Sequence, residues 1–115
     1  MKDKGKDNLE RLLHIKKAIS EIERFTIGCS ERKFEKNDIL ASAVLFQFSV
    51  IGEAIVQMDQ ELLEKYDYPW FKVLAFRNLI AHEYFNIRLA AVWKIIEKDL
   101  PQIKKTIEKI IETEF

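Results

Sequence analysis

Apolar residues recur three or four positions apart along almost the whole of this chain, and little interrupts them. That spacing follows the α-helical period, in which positions i, i+3, i+4 and i+7 share a face. The 115 residues include only 3 Gly and 2 Pro, so breaks between helices are few. No segment alternates apolar and polar residues for long enough to read as a half-buried strand. The expectation is an all-α, up-and-down bundle of four to five helices, built as a single domain over residues 1–115.

Leu9, Leu12, Leu13, Ile15, Ile19, Ile22 and Phe25 predict a first helix from about Asn8 to Thr26. Asp7 or Asn8 can cap its start, and Gly28 ends it. Ser30–Asn37 reads as a charged connector anchored by Phe34. A second helix opens at Asn37 or Asp38 and runs to about Tyr66. Its apolar face, from Ile39 and Leu40 through Val44, Leu45, Phe48, Ile51, Ile55 and Met58 to Leu62, is wide enough for a central helix. Gly52 inside it costs roughly 0.8–1.0 kcal/mol relative to Ala, which a close helix–helix approach would offset. Asp67-Tyr68-Pro69-Trp70 predicts a third helix, with a cap candidate and then proline in the first turn. That helix ends near Phe85-Asn86. A fourth carries Leu89, Val92, Trp93, Ile95 and Ile96. Pro101 kinks or restarts it before Ile103, Ile107, Ile110 and Ile111.

Apolar residues make up 48% of the chain and charged residues 33%, which argues for a folded protein and against disorder. The formal net charge is zero, so any nucleic-acid binding must come from a local patch and not from bulk attraction. Cys29 is the single cysteine and has no intrachain partner, which fits a reducing, cytoplasmic setting. Met1–Asn8 lacks the apolar core of a secretory leader. The longest apolar run, Ile39–Val56, is interrupted by Ser42, Gln47, Ser49 and Glu53, so no membrane span is expected. No Cys/His cluster has metal-ligand spacing, and no metal or cofactor is expected. His14, in a lysine-rich turn, reads as a solvated or boundary residue. Lys104, Lys105 and Lys109, set among Glu108 and Glu112, read as a solvated face.

Arg77-Asn78-Leu79-Ile80-Ala81-His82-Glu83-Tyr84 places an arginine, an amide, an imidazole and a phenol within little more than two helical turns, flanked by Val73, Leu74, Phe76, Phe85 and Ile87. A buried polar group without a partner costs on the order of 1–3 kcal/mol. These side chains therefore either satisfy one another or line a working groove. Asn78 and His82 are four apart and face the same way, and Arg77 and Tyr84, seven apart, also align. About 140° separates Arg77 from His82, a gap that the arginine stem can narrow. In a purely structural reading, Arg77 pairs with a carboxylate such as Glu53, His82 bonds a backbone carbonyl, Asn78 bridges two helices and Tyr84 packs at a rim.

The Arg77-to-Tyr84 segment resembles the Arg-x4-His-x-Tyr signature of the HEPN superfamily, in its HepT-like branch. Ile51-Gly52-Glu53-Ala54, Pro69-Trp70, Tyr84-Phe85, Val92-Trp93-Lys94-Ile95-Ile96 and Asp99-Leu100-Pro101 are similar to that branch as well. The likeness covers about Ser49 to Leu100 and, through helix layout, the whole chain. It implies a HEPN-like, dimeric, metal-independent endoribonuclease. Such a protein acts as a toxin restrained by a minimal nucleotidyltransferase antitoxin. His82 would serve as general acid and base, and Arg77 would hold the phosphate, with Asn78 and Glu53 in support. Tyr84 resembles the tyrosine that the partner modifies with AMP. A homodimer would bring a second His82 to a shared cleft, since acid and base are two roles and each chain offers one suitable histidine. The alternative is a non-catalytic helical partner or substrate-binding subunit of a minimal nucleotidyltransferase.

Overall fold

The computed structural model describes residues 4–115, which are all-helical. The first rod, α1, spans Lys4–Thr26, and Gly28 ends it in the left-handed conformation at φ 69°. Leu12, Ile15, Ala18, Ile19 and Ile22 point inward from α1. Asn8 does not cap this helix. It is buried, and its Oδ1 accepts the backbone N–H of Asp59 at 3.1 Å, tying α1 to a break in the next long helix.

The stretch expected as a connector contains a short helix, α2 (Glu31–Lys36), capped by Ser30, whose side chain accepts the Lys33 N–H. Phe34 is fully buried there, its ring 5.4 Å from that of Trp93. Helix α3 (Asp38–Gln57) starts where expected, with the Asn37 side chain accepting the Leu40 N–H at 3.0 Å. It does not continue to Tyr66. Met58 turns to extended backbone, and Asp59 caps a separate short helix, α4 (Gln60–Glu64), by accepting the Glu61 N–H. The break lets Leu62 and Leu63 turn into the core. By length and mean hydropathy (2.0), α3 is apolar enough to cross a membrane, despite the interruptions in its sequence. Its inward residues pack on α1 and α5, as a central helix of a bundle requires.

Helix α5 (Trp70–His82) begins one residue later than a first-turn proline would place it. Pro69 precedes the helix, and no side chain caps it. Trp70 fixes this end instead, its Nε1–H donating to the Leu63 carbonyl at 3.0 Å. The C-terminal rod begins with α6 (Leu89–Lys94), passes through a π-helical turn at Ile95–Asp99, and continues as α7 (Leu100–Glu114). The expected restart is present, with Pro101 in the first turn of α7. The Leu100 N–H reaches back five residues to the Ile95 carbonyl, and this wider turn admits a proline that has no N–H of its own. Ile103, Ile107 and Ile110 then face α1. At the far end Tyr66 donates its hydroxyl to Glu114 Oε2 at 2.8 Å, which closes the bundle.

The rods thus stand in the order α5, α3, α1, α7, with α2 bridging α3 and α6. Helix α5 occupies one edge and leans chiefly on α3. Ile80 is its one buried residue, so it is not the core-like helix that its apolar flanks suggested.

Candidate active site

The close approach expected at Gly52 is present. A Cβ at Gly52 would lie 2.4 Å from Arg77 Cβ and 2.6 Å from Arg77 Cγ. Without a side chain there, the arginine stem crosses α3 against bare backbone. Glu53, the next residue, then meets the guanidinium: Arg77 Nε donates to Glu53 Oε1 at 2.6 Å, and an Nη2–Oε1 ion pair reinforces it. Arg77 Nη1 donates to Asn78 Oδ1 at 2.8 Å. Both members of the ion pair are partly exposed, so the pair is worth only about 0–1 kcal/mol in stability. Its consequence is orientation. Of the five N–H groups of the guanidinium, one on each terminal nitrogen is left to meet a phosphate.

His82 is the last residue of α5 and is exposed. It makes no side-chain hydrogen bond among the described residues, neither the backbone bond of the structural reading nor one to Glu53. Asn78 lies one turn before it on the same face, exposed and oriented by Arg77. An imidazole exposed at the end of the helix that carries the oriented guanidinium can serve as a proton donor or acceptor toward a bound substrate.

Tyr84 does not lie on the helical spiral. Glu83 leaves helical geometry (φ −131°, ψ 33°), and Tyr84–Asn86 form a 3-10 turn. The seven-residue alignment with Arg77 therefore does not hold. Tertiary contact positions the phenol instead: its hydroxyl lies 3.0 Å from Ser42 Oγ on α3. Asn86 ties the turn by donating to Glu83 Oε2 at 2.6 Å. Tyr84 remains 42% exposed, and Phe85, its ring 5.8 Å from the Tyr84 ring, is 98% exposed.

In the sequence, Ser42 stands out only as an interruption of an apolar run. The signal that finds it is spacing: Ser42, Phe46, Ser49 and Glu53 fall four, three and four apart, on one face of α3. Two of them contact the motif segment directly, Ser42 through Tyr84 and Glu53 through Arg77.

The chain matches the family described as ribonuclease HepT-like over residues 15–110. It is 35% identical over 102 residues to a Methanocaldococcus jannaschii protein named "Gamma-glutamylcyclotransferase and putative RNase". That match covers 88% of this chain and 46% of the relative, so the chain spans under half of that protein's length. A second protein of the same organism, named "Putative RNase", is 32% identical, with 84% of this chain and 90% of the relative covered. The "Probable ribonuclease HepT" of Thermococcus cleftensis is 30% identical over 96% of this chain and 98% of its own length. No solved structure matches. The extent of the family match, together with relatives aligned over nearly their full length, shows that this chain belongs to the HepT-like ribonuclease family.

Proposed function

We propose that this chain is a metal-independent endoribonuclease that cleaves RNA by attack of the substrate's own 2′-OH. One observation carries the reading: α5 presents an arginine oriented by Glu53 and Asn78 and, five residues on, an exposed histidine with no side-chain hydrogen bond among the described residues. The guanidinium holds the scissile phosphate and offsets charge at the phosphorane. His82 takes the proton of the 2′-OH, and an imidazolium returns one to the leaving 5′-oxygen. The leaving strand ends in a 5′-OH, and the other strand in a 2′,3′-cyclic phosphate.

Two roles and one motif histidine, His82, per chain favour a homodimer. The open face of α5 supports it, because Phe71, Ala75, Asn78 and His82 recur four, three and four apart and are all exposed. A second copy laid there pairs two His82 side chains in one cytoplasmic enzyme. In this reading the protein is the toxin of a toxin–antitoxin pair. A minimal nucleotidyltransferase silences it by placing AMP on Tyr84, a partly exposed residue on a short turn beyond α5. The added AMP brings bulk and negative charge to the turn that follows His82 and so obstructs RNA there.

Incubating the purified protein with RNA in EDTA tests the enzyme. Cleavage should persist, leave cyclic or 3′-phosphate ends, and drop by about 10²-fold or more in His82→Ala. Undiminished cutting by His82→Ala removes the catalytic assignment. Absence of cutting by the parent chain favours the non-catalytic partner instead.

A further inference from the structure

On the side of Glu53 away from α5, a groove of about 250 Å³ runs along the seam of α1 and α3. Arg11 and His14 line it from α1, and Phe46, Ser49, Glu53 and Gln57 line it from α3. Arg11 and His14 are three apart, on one face of α1. Neither makes a side-chain hydrogen bond or ion pair among the described residues. Glu53 is already engaged by Arg77. The groove therefore offers an unpaired guanidinium and an open imidazole beside a carboxylate whose charge is matched. Phe46 stands in the same groove with 65% of its surface exposed.

We infer that this groove is a subsite for single-stranded RNA that flanks the scissile phosphate. Arg11 pairs with a backbone phosphate, the His14 imidazole N–H donates to an oxygen of the same backbone, and Phe46 provides a face on which a base stacks. Cations tracking a backbone beside an exposed aromatic ring are the combination by which single strands are bound without a sequence code. Ser49 and Gln57 supply hydrogen-bonding side chains for a base edge or a 2′-OH. Continuity with the cleft comes from Glu53, which lines the groove and bonds Arg77. A strand held at Arg77 can cross this residue into the groove. Because the chain has no net charge, such a local cluster is where RNA affinity beyond the scissile phosphate must arise. Arg11, His14 and Phe46 are positioning residues here and do not touch the reacting atoms. The inference rests on the ribonuclease reading and adds a length preference to it.

The test uses 2′-O-methyl RNA, which cannot be cut because its nucleophile is blocked, as a fluorescent dinucleotide and a fluorescent octanucleotide. Arg11→Ala, His14→Gln and Phe46→Ala are each expected to weaken octanucleotide binding roughly fivefold or more while changing dinucleotide binding by less than about twofold. Arg11→Ala should also flatten the dependence of log affinity on log salt by about 0.7. Lys105→Ala, an exposed charge on α7, serves as the control and should match the parent on both probes. Unchanged octanucleotide binding in all three groove variants overturns the subsite. So does equal loss on both probes. Dissociation of a parent dimer by Phe46→Ala, read by sedimentation, would instead make the groove a contact between copies of the chain. A parent that neither binds nor cuts RNA takes down the ribonuclease reading itself, whereas a parent that cuts RNA with an indifferent groove takes down only the subsite.

Discussion

Replacing Gly52 by alanine sets two effects of known size against each other. In an ordinary helix interior, alanine gains roughly 0.8–1.0 kcal/mol over glycine. Here the new methyl would sit 2.4 Å from Arg77 Cβ and 2.6 Å from Arg77 Cγ. The Cβ is fixed to the α5 backbone, so no rotamer change relieves the first contact. Ordinary carbon–carbon contact begins at about 3.5 Å, and α5 must therefore back away from α3 by on the order of 1 Å. Overpacking of this kind costs typically 1–3 kcal/mol, which leaves a net loss of about 0–2 kcal/mol. The larger effect should fall on function, because the same displacement pulls Arg77 off Glu53 and shifts the guanidinium relative to His82. A misplacement near 1 Å can cost on the order of 10²-fold in rate. Urea unfolding and RNA cleavage read the two consequences separately. A Gly52→Ala protein stabilised by about 1 kcal/mol with full activity would refute the reasoning, since it would show that α5 is not seated against Gly52.

Glu53→Gln keeps the shape beside Arg77 and removes the charge. Stability should change by no more than about 1 kcal/mol in denaturant melts, while kcat/KM falls because the guanidinium is less well oriented. Phe34→Ala should cost about 3–5 kcal/mol, read by urea unfolding, because the ring is fully buried against Trp93. The contact between Tyr66 and Glu114 should give the bundle a pH-dependent end. The Tyr66 hydroxyl holds the Glu114 carboxyl below the usual glutamate range, with Lys65 assisting. A lowered carboxyl contributes stability above its unfolded value and loses it as the pH falls below roughly 4. Desolvation, with the Glu114 bond, raises the Tyr66 phenol above its usual value. A raised phenol stabilises the fold below about pH 10 and ceases to as the pH rises past that point. Thermal melts of Tyr66→Phe should lose part of both slopes, and a pH profile identical to the parent's would sink this account.

Long periodic segments made most of the fold legible. Ile15, Ile19 and Ile22, or Ile103, Ile107 and Ile110, have one way to share a face, and each set is buried. The pairing of Arg77 with Glu53 and the close approach at Gly52 could be anticipated because a glycine inside an apolar helix needs a reason. Breaks were harder to read. Met58-Asp59 contains neither Gly nor Pro, and the cause of the interruption there is tertiary: Asn8, fifty-one residues away, binds the freed N–H of Asp59. Tyr84 failed for a related reason. Residue spacing converts to angle only while the helix lasts, and this one stops at His82, so a serine on α3 and not helical phase sets the position of the phenol. Exposure of α5 and of the turn beyond it was hidden too, because Phe71 and Phe85 look like core residues in sequence while the bundle leaves them open.

The π-helical turn before Pro101 changes how insertions and deletions act on this chain. Such a turn houses one residue more than an α-helix needs, without rotating the helix beyond it. Loss of a single residue between Ile95 and Asp99 would convert the turn to α-helix and leave Ile103, Ile107 and Ile110 aimed at α1. The same loss farther along, at Lys104 or Lys105, would swing the residues beyond it by about 100° and carry Ile107 and Ile110 off α1. The rod therefore has one place where its length can change while its register does not. Pro101 guards that place. Once the turn is tightened, the ring would meet the carbonyl four residues back, at a cost of about 3 kcal/mol or more. A shortened variant should fold only when Pro101 is replaced at the same time, so the order of the two changes is constrained: proline first, residue second.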